Sequence, residues 1–287
     1  MGDDVYVLLL GATTGAYALA RSFGEDYAVP VTVMDEQVDA AFEKSNFVRE
    51  VRRVPGITYP ALLHRALSDF YEAHSGRSLL LLPLTAAYAK AVLAEREFYE
   101  RMFLLPQKTP FCEGTASSTP EALLLAYRGR EGSLTTAYGR VVARDEDGSP
   151  LALVTAPTPV ALLEKLTQTE SGFALYAVDE KENPSSYLPE GAVSPFCALA
   201  SAQDTSLAEW VLFDYVLCRE VKNECADAQA VFSLLPYRAW RKRVIDKEKK
   251  TVAALRKKHL HLTLFTLKNE RKSPFARARL RRFYRGI

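Results

Sequence analysis

Five residues near the start, Gly11-Ala12-Thr13-Thr14-Gly15, have the make-up of a turn that presents backbone N–H groups to a ligand. They follow an apolar run and precede a helical pattern, and the N-terminus of a helix favours anions. The spacing is Gly-x-x-x-Gly. It lacks the middle glycine of G-x-G-x-x-G, which lets a backbone approach a pyrophosphate, and no Lys-Ser or Lys-Thr pair follows as in a phosphate-binding loop. Asp35 ends the next apolar run, where a carboxylate could accept a ribose hydroxyl, although acids stand there in most folds of this kind. Gly11, Thr13, Thr14, Gly15 and Asp35 are therefore read as a small-ligand pocket, with a bare tight turn as the alternative. Farther along, Arg128, Arg140, Asp145, Asp179 and Glu180 lie near strand ends and are candidates for catalysis by charge and position. For each, the simpler reading is a solvated turn or edge charge. No metal site is expected, because the four histidines form no HExxH and only His259 and His261 are close. Cys112, Cys197, Cys218 and Cys225 contain no CxxC pair and read as buried free thiols.

The elements that must position these residues follow from apolar periodicity. Residues 5–10 (VYVLLL), 29–35 (VPVTVMD), 47–55 (FVREVRRVP) and 78–84 (SLLLLPL) read as strands. Helical patterns lie between and after them, over 14–23 with Thr13 or Thr14 as N-cap, 58–74, and 85–103. Alternating strands and helices predict an α/β domain with a parallel Rossmann-like sheet over residues 1–104. Three prolines and a loss of periodicity mark a linker over 105–121. An α+β domain over 122–230 follows, with strands in 122–129, 132–156 (split by the turn RDEDGSP) and 172–181. Its helices are expected at 158–170 and 206–217.

The formal charge of +2 conceals a division. Of 37 Lys and Arg, 18 fall from Val231 onward against 3 of the 35 acids, so that segment carries about +15 and the rest about −13. Residues 231–287 are thus a basic C-terminal segment with helical and strand patterns. It could meet an anionic membrane surface, its own acidic body or an acidic partner. Nucleic acid is disfavoured, because aromatic residues are sparse and no recognition motif is present. No apolar run reaches the roughly 18–20 residues of a membrane span, and the acidic start Met1-Gly2-Asp3-Asp4 does not resemble a secretory signal. A cytoplasmic protein is expected.

The opening VLLLGATTGAYALARSF resembles that of the carboxylate–amine ligases of the ATP-grasp superfamily, the D-aspartate ligase-like group. Residues 79–103 (LLLLPLTAAYAKAVLAEREFYERMF), 123–156 and 172–181 (GFALYAVDEK) are similar to later segments of that group. The resemblance implies a pre-ATP-grasp domain, a reduced ATP-grasp-like domain and descent from an ATP- and Mg-dependent ligase. Three departures bear on activity. Where the group carries a Val-Ile-Val-Lys-Pro strand, CEGTASSTPEALLLAY has no lysine; Leu125 and Ala126 stand in place of a Gln-Glu pair; and no Glu-x-Asn lies between Gly172 and Leu207. The resemblance then implies a shortened, degenerate homologue without cofactor, serving as partner to a full-length ligase of the same family or to a copy of itself. An active ligase joining an amino acid or peptide to a carboxylate, using ATP and Mg, is the alternative.

Overall fold

The computed structural model describes residues 4–105, 119–129, 132–146, 148–166, 172–186, 207–218, 230–233, 244, 246–258 and 260–263. Apolar runs in its first part become the parallel strands β1 (Val5–Leu10), β2 (Val31–Asp35), β3 (Val48–Arg53) and β4 (Ser78–Pro83). Their order is β3-β2-β1-β4. Every residue of β1 is buried because helices cover both faces. On one face Val5, Val7 and Leu9 meet α1 (Thr14–Tyr27); on the other Tyr6, Leu8 and Leu10 meet α3 (Pro60–Ala73) and α4 (Ala86–Ala94). A one-turn α2 (Ala40–Glu43) was not foreseen, and the expected helix over 85–103 breaks at Glu95 into α4 and a short α5 (Arg96–Tyr99). Helix α1 runs four residues past its expected end. It does so through Gly24, where a Cβ would stand 2.9 Å from the Phe47 Cβ, so the missing side chain admits Phe47 against the helix.

The second sheet has seven strands in the order β11-β10-β7-β6-β5-β8-β9. Its centre is β5 (Ala122–Arg128), paired antiparallel with β6 (Leu134–Arg144) and β8 (Gly172–Val178). Around them lie β7 (Pro150–Ala156), β9 (Pro184–Ser186), β10 (Ala230–Ser233) and β11 (Leu260–Thr263). The expected boundary at 230/231 falls inside β10, and part of the basic segment belongs to this sheet. One face is covered by α6 (Val160–Lys165), through Leu162. The other is covered by α7 (Leu207–Val211), its continuation and α8 (Asp246–Lys258), which buries Val252. The amphipathic run 206–217 is α-helical only to Val211 and then widens into a π-helical turn, Leu212–Val216. The halves are joined where α1 meets α7. There the Ala208 N–H donates to the buried Ser22 Oγ at 3.0 Å, and one apolar cluster runs through both.

Of the four cysteines, only Cys218 lies among the described residues. It is exposed, a correction to the expected burial. It follows the end of the π-helical turn with φ +50°, where the chain has left the covered face of the sheet. Cys112, Cys197, Cys225 and His259 lie outside the described residues, and among those described no helix is long and apolar enough to cross a membrane.

Candidate functional site

The Gly11–Gly15 turn forms where β1, β2 and α4 converge. Gly11 has φ +116°, and a Cβ there would come 3.1 Å from the Thr85 Cγ2, so both conformation and space call for glycine. Its N–H donates to the Met34 carbonyl at 2.9 Å, which extends the β1–β2 ladder into the turn. Thr13 is the N-cap of α1, with its Oγ1 accepting the Ala16 N–H at 3.1 Å; Thr14 is the first helical residue. Packed beside Gly11, Thr85 caps α4 in the same way, accepting the Tyr88 N–H at 3.2 Å. A Thr-Ala-Ala-Tyr pattern after a strand is a cap signal, and it brings Tyr88 toward the turn.

Asp35 is the hub. Its Oδ2 accepts the Ala12 N–H at 2.7 Å; its Oδ1 accepts the Glu36 N–H at 2.7 Å and the Tyr88 hydroxyl at 2.6 Å. A carboxylate offers about four lone-pair sites, and three are occupied here by the protein itself. Asp35 thereby ties the turn to α4. Burial, and then the Asp35 hydrogen bond, push the Tyr88 hydroxyl well above the usual tyrosine range, so it stays protonated and keeps donating. Tyr88 is the member that spacing alone could not supply. The structure thus bonds Asp35 to Ala12, the residue between Gly11 and Thr13, while Thr13 caps α1 and Thr14 and Gly15 lie in its first turn.

The other candidates are dispersed. Arg128 and Arg140 pair with opposite ends of β5, since Arg140 faces Ala122 across six residues of strand, or about 20 Å. The Arg128 guanidinium donates to the carbonyls of Gly132 (2.9 Å) and Leu166 (3.0 Å), bracing two loops. Arg140 is exposed on β6. Asp179 closes the β8–β9 turn. Its Oδ1 accepts the N–H groups of Lys181 (2.9 Å) and Asn183 (2.8 Å), and these Asn183 bonds above all hold its carboxyl below the ordinary value. Asp145 accepts the Ser149 N–H at 2.7 Å in the β6–β7 turn, and Glu180 is exposed. Short acids before tight turns bind their own backbone, which accounts for both aspartates.

A polar cluster not anticipated from the sequence lies in the core of the second half. The Tyr127 hydroxyl, on β5, donates to Asp214 Oδ2 at 2.6 Å, and the Tyr215 hydroxyl also reaches it. Trp210 stacks on the Tyr127 ring with centroids 6.0 Å apart. Asp214 is 6% exposed, and the π-helical turn carries it and Tyr215 over the sheet. Burial raises the Tyr127 hydroxyl far above its ordinary value. Asp214 and Tyr215 both meet Tyr127 from this wider turn, and an α-periodicity reading carries no sign of the widening.

No protein-family model matches the chain, and no curated protein matches it in sequence. Solved structures do match in shape. N5-carboxyaminoimidazole synthetase from Staphylococcus aureus aligns with a TM-score of 0.53 at 11% identity, over 83% of this chain and 84% of that one. A biotin carboxylase from Campylobacter jejuni in a beta-gamma-ATP complex aligns with a TM-score of 0.52 at 6% identity, over 78% of this chain and 74% of that one. The biotin carboxylase subunit of a pyruvate carboxylase aligns at 0.50 and 8%, over 79% and 74%.

Proposed function

Because the chain has the ATP-grasp fold, we propose that it is a carboxylate–amine ligase homologue that has lost ATP and magnesium binding and acts as a non-catalytic partner or scaffold subunit. The observation that carries this reading is the state of β5. Leu125 and Ala126, at the positions where the ligase resemblance implies a Gln-Glu pair, are 0% and 2% exposed. Leu125 lies in the cluster that includes Trp210 and Leu212; Ala126 lies under Leu162 and Leu166. A nucleotide base needs polar edges to meet it, and these two positions offer apolar side chains already enclosed by the chain's own core.

Acyl-phosphate chemistry also needs cations and carboxylates gathered on one triphosphate. Arg128 and Arg140 stand about a β5 length apart, and of the candidate acids Asp145 and Asp179 bind the backbone of their own turns. That dispersal weighs against the alternative of an active ligase joining an amino acid or peptide to a carboxylate. The lysine-free stretch 112–118 and the segment 187–206 lie outside the described residues. The retained ligand site in this reading is the Gly11–Gly15 turn with its Asp35–Tyr88 tie, suited to a small molecule. The partner is a full-length ligase of the same family or a second copy of this chain, and an anionic membrane surface is the third reading, through 231–287. Of that basic segment, α8 rests on the sheet, with Glu248 accepting the Arg144 N–H at 3.1 Å.

Calorimetric titration of the full chain with ATP, with and without magnesium, tests the reading. We expect no magnesium-dependent heat. Tight binding that requires magnesium, or ADP release that depends on an added amino acid, would overturn it.

A further inference from the structure

On the α3 face of the first sheet, three arginines stand over two aromatic rings. The Arg52 guanidinium carbon stands 4.9 Å from the centroid of Phe70; those of Arg49 and Arg77 stand 6.0 and 5.6 Å from the centroid of Tyr6. His74 completes the aromatic floor, 4.2 Å from Phe70 and 4.5 Å from Tyr6, with its Nδ1 bonded to the Phe70 carbonyl at 2.9 Å. Glu50 Oε1 accepts the Arg52 Nε–H at 2.7 Å, and the exposed Asp4 lies beside Arg77, its carbonyl accepting the Ser78 N–H at 2.8 Å. Among the described residues neither Arg49 nor Arg77 has a carboxylate within ion-pair distance.

The backbone builds this convergence. Val48 pairs with Val31 and Val51 with Val33, and all four valines lie on the α1 face. Strand alternation would set residues 48 and 51 on opposite faces. The register slips between Val31 and Thr32, leaving Arg49 as an extra residue, so Arg49 and Glu50 both turn to the α3 face alongside Arg52. Such a bulge is rare in a parallel pair, and on an edge strand it re-aims side chains. Arg77 arrives from the other side, returned by a turn at Gly76 with φ +87°. Ordinary guarding of a sheet edge by charge needs neither the bulge nor stacking on buried rings.

We infer that Arg49, Arg52 and Arg77 form a binding site for a phosphate group. Stacking on Tyr6 and Phe70 holds the guanidinium planes and leaves their N–H edges to grip tetrahedral oxygens in pairs. Three arginines against Glu50 and the neighbouring Asp4 leave the group net positive, which an anion with several oxygens, such as phosphate, neutralises while engaging more than one guanidinium. This inference is independent of the function proposed above and requires no magnesium.

The test is calorimetry of the full chain with inorganic phosphate, in EDTA and at fixed ionic strength. We expect saturable binding that weakens about tenfold or more in the double variant Arg49→Gln/Arg77→Gln, since each loses charge-assisted paired bonds. Arg65→Gln, which removes an 80% exposed side chain on α3, is expected to leave binding unchanged. Melting curves without phosphate establish that the variants are folded. Cosedimentation with phosphatidate vesicles identifies the source: vesicle binding lost in the double variant, with only a weak free-phosphate response, assigns the group to a lipid headgroup. The inference is overturned if neither probe distinguishes the double variant from the parent, or if Arg65→Gln loses as much as the double variant. Running the ATP titration on the double variant separates phosphate held here from a magnesium-dependent nucleotide site.

Discussion

Two tyrosine–aspartate hydrogen bonds of equal length, 2.6 Å, occupy opposite situations in the two halves of the molecule. Tyr88–Asp35 lies at the rim of the parallel sheet, with Asp35 half-buried and supported by two backbone N–H groups. Tyr127–Asp214 lies inside the second half, on a π-helical turn, beneath Trp210 and beside Tyr215. Their geometry is the same, but the cost of losing a partner is not. At the rim, water replaces a lost donor; in the core, a buried group that loses a charged partner is not rehydrated. The first pair therefore acts as a local tie on a candidate site, whereas the second is a structural requirement of the fold.

The largest effect is expected in the core. Asp214→Ala deprives the buried Tyr127 hydroxyl of its carboxylate and should lower stability by about 3 kcal/mol, read from the urea midpoint. A loss under about 1 kcal/mol would erase the contrast between the two pairs. An intermediate effect is expected from alkali. Tyr99 is 2% exposed, and burial, then the nearby Glu95 charge, push its hydroxyl up to about 12. The unfolded chain releases that proton near pH 10 while the folded chain keeps it. This contribution is therefore complete below about pH 10 and disappears as pH rises to about 12. Tyr88 and Tyr127 are raised as well, so they add to the fall. Tyr99→Phe should make a pH series of denaturation midpoints shallower between pH 10 and 12, and an unchanged slope would remove Tyr99 from this account. The smallest effect is expected at the rim. Tyr88→Phe should cost about 1 kcal/mol in global stability, while hydrogen exchange at the Ala12 amide accelerates. If it costs as much as Asp214→Ala, the rim tie is as structural as the core pair.

How much of this was legible in the chain varies with the range of the interaction. The apolar runs of β1, β2 and β4 announced buried parallel strands, because a strand covered on both faces needs no polar alternation. Thr13 and Thr85 announced helix starts, because a cap is a contact across three residues. The acid-rich RDEDGSP stretch announced a turn for the same local reason. Short elements without periodicity were not legible: the three-residue edge strand β9, and β10 across an expected boundary. Nor was the widening of 212–216, since π- and α-helical runs share an apolar pattern.

The sequence by itself determined the two sheet-bearing halves, the burial of their strands and the glycine turn with its capping threonines. These depend on side-chain type and on partners a few residues away. Only the tertiary structure decided what the candidate residues do. Asp35 meets donors 23 and 53 residues distant in Ala12 and Tyr88, and Asp214 meets Tyr127 across 87 residues. A one-residue slip in β3 gathers Arg49 and Arg52 with Arg77 on the rings of Tyr6 and Phe70. Such meetings are set by strand register and helix placement. Register follows from the burial of whole faces, so no single stretch of chain encodes it.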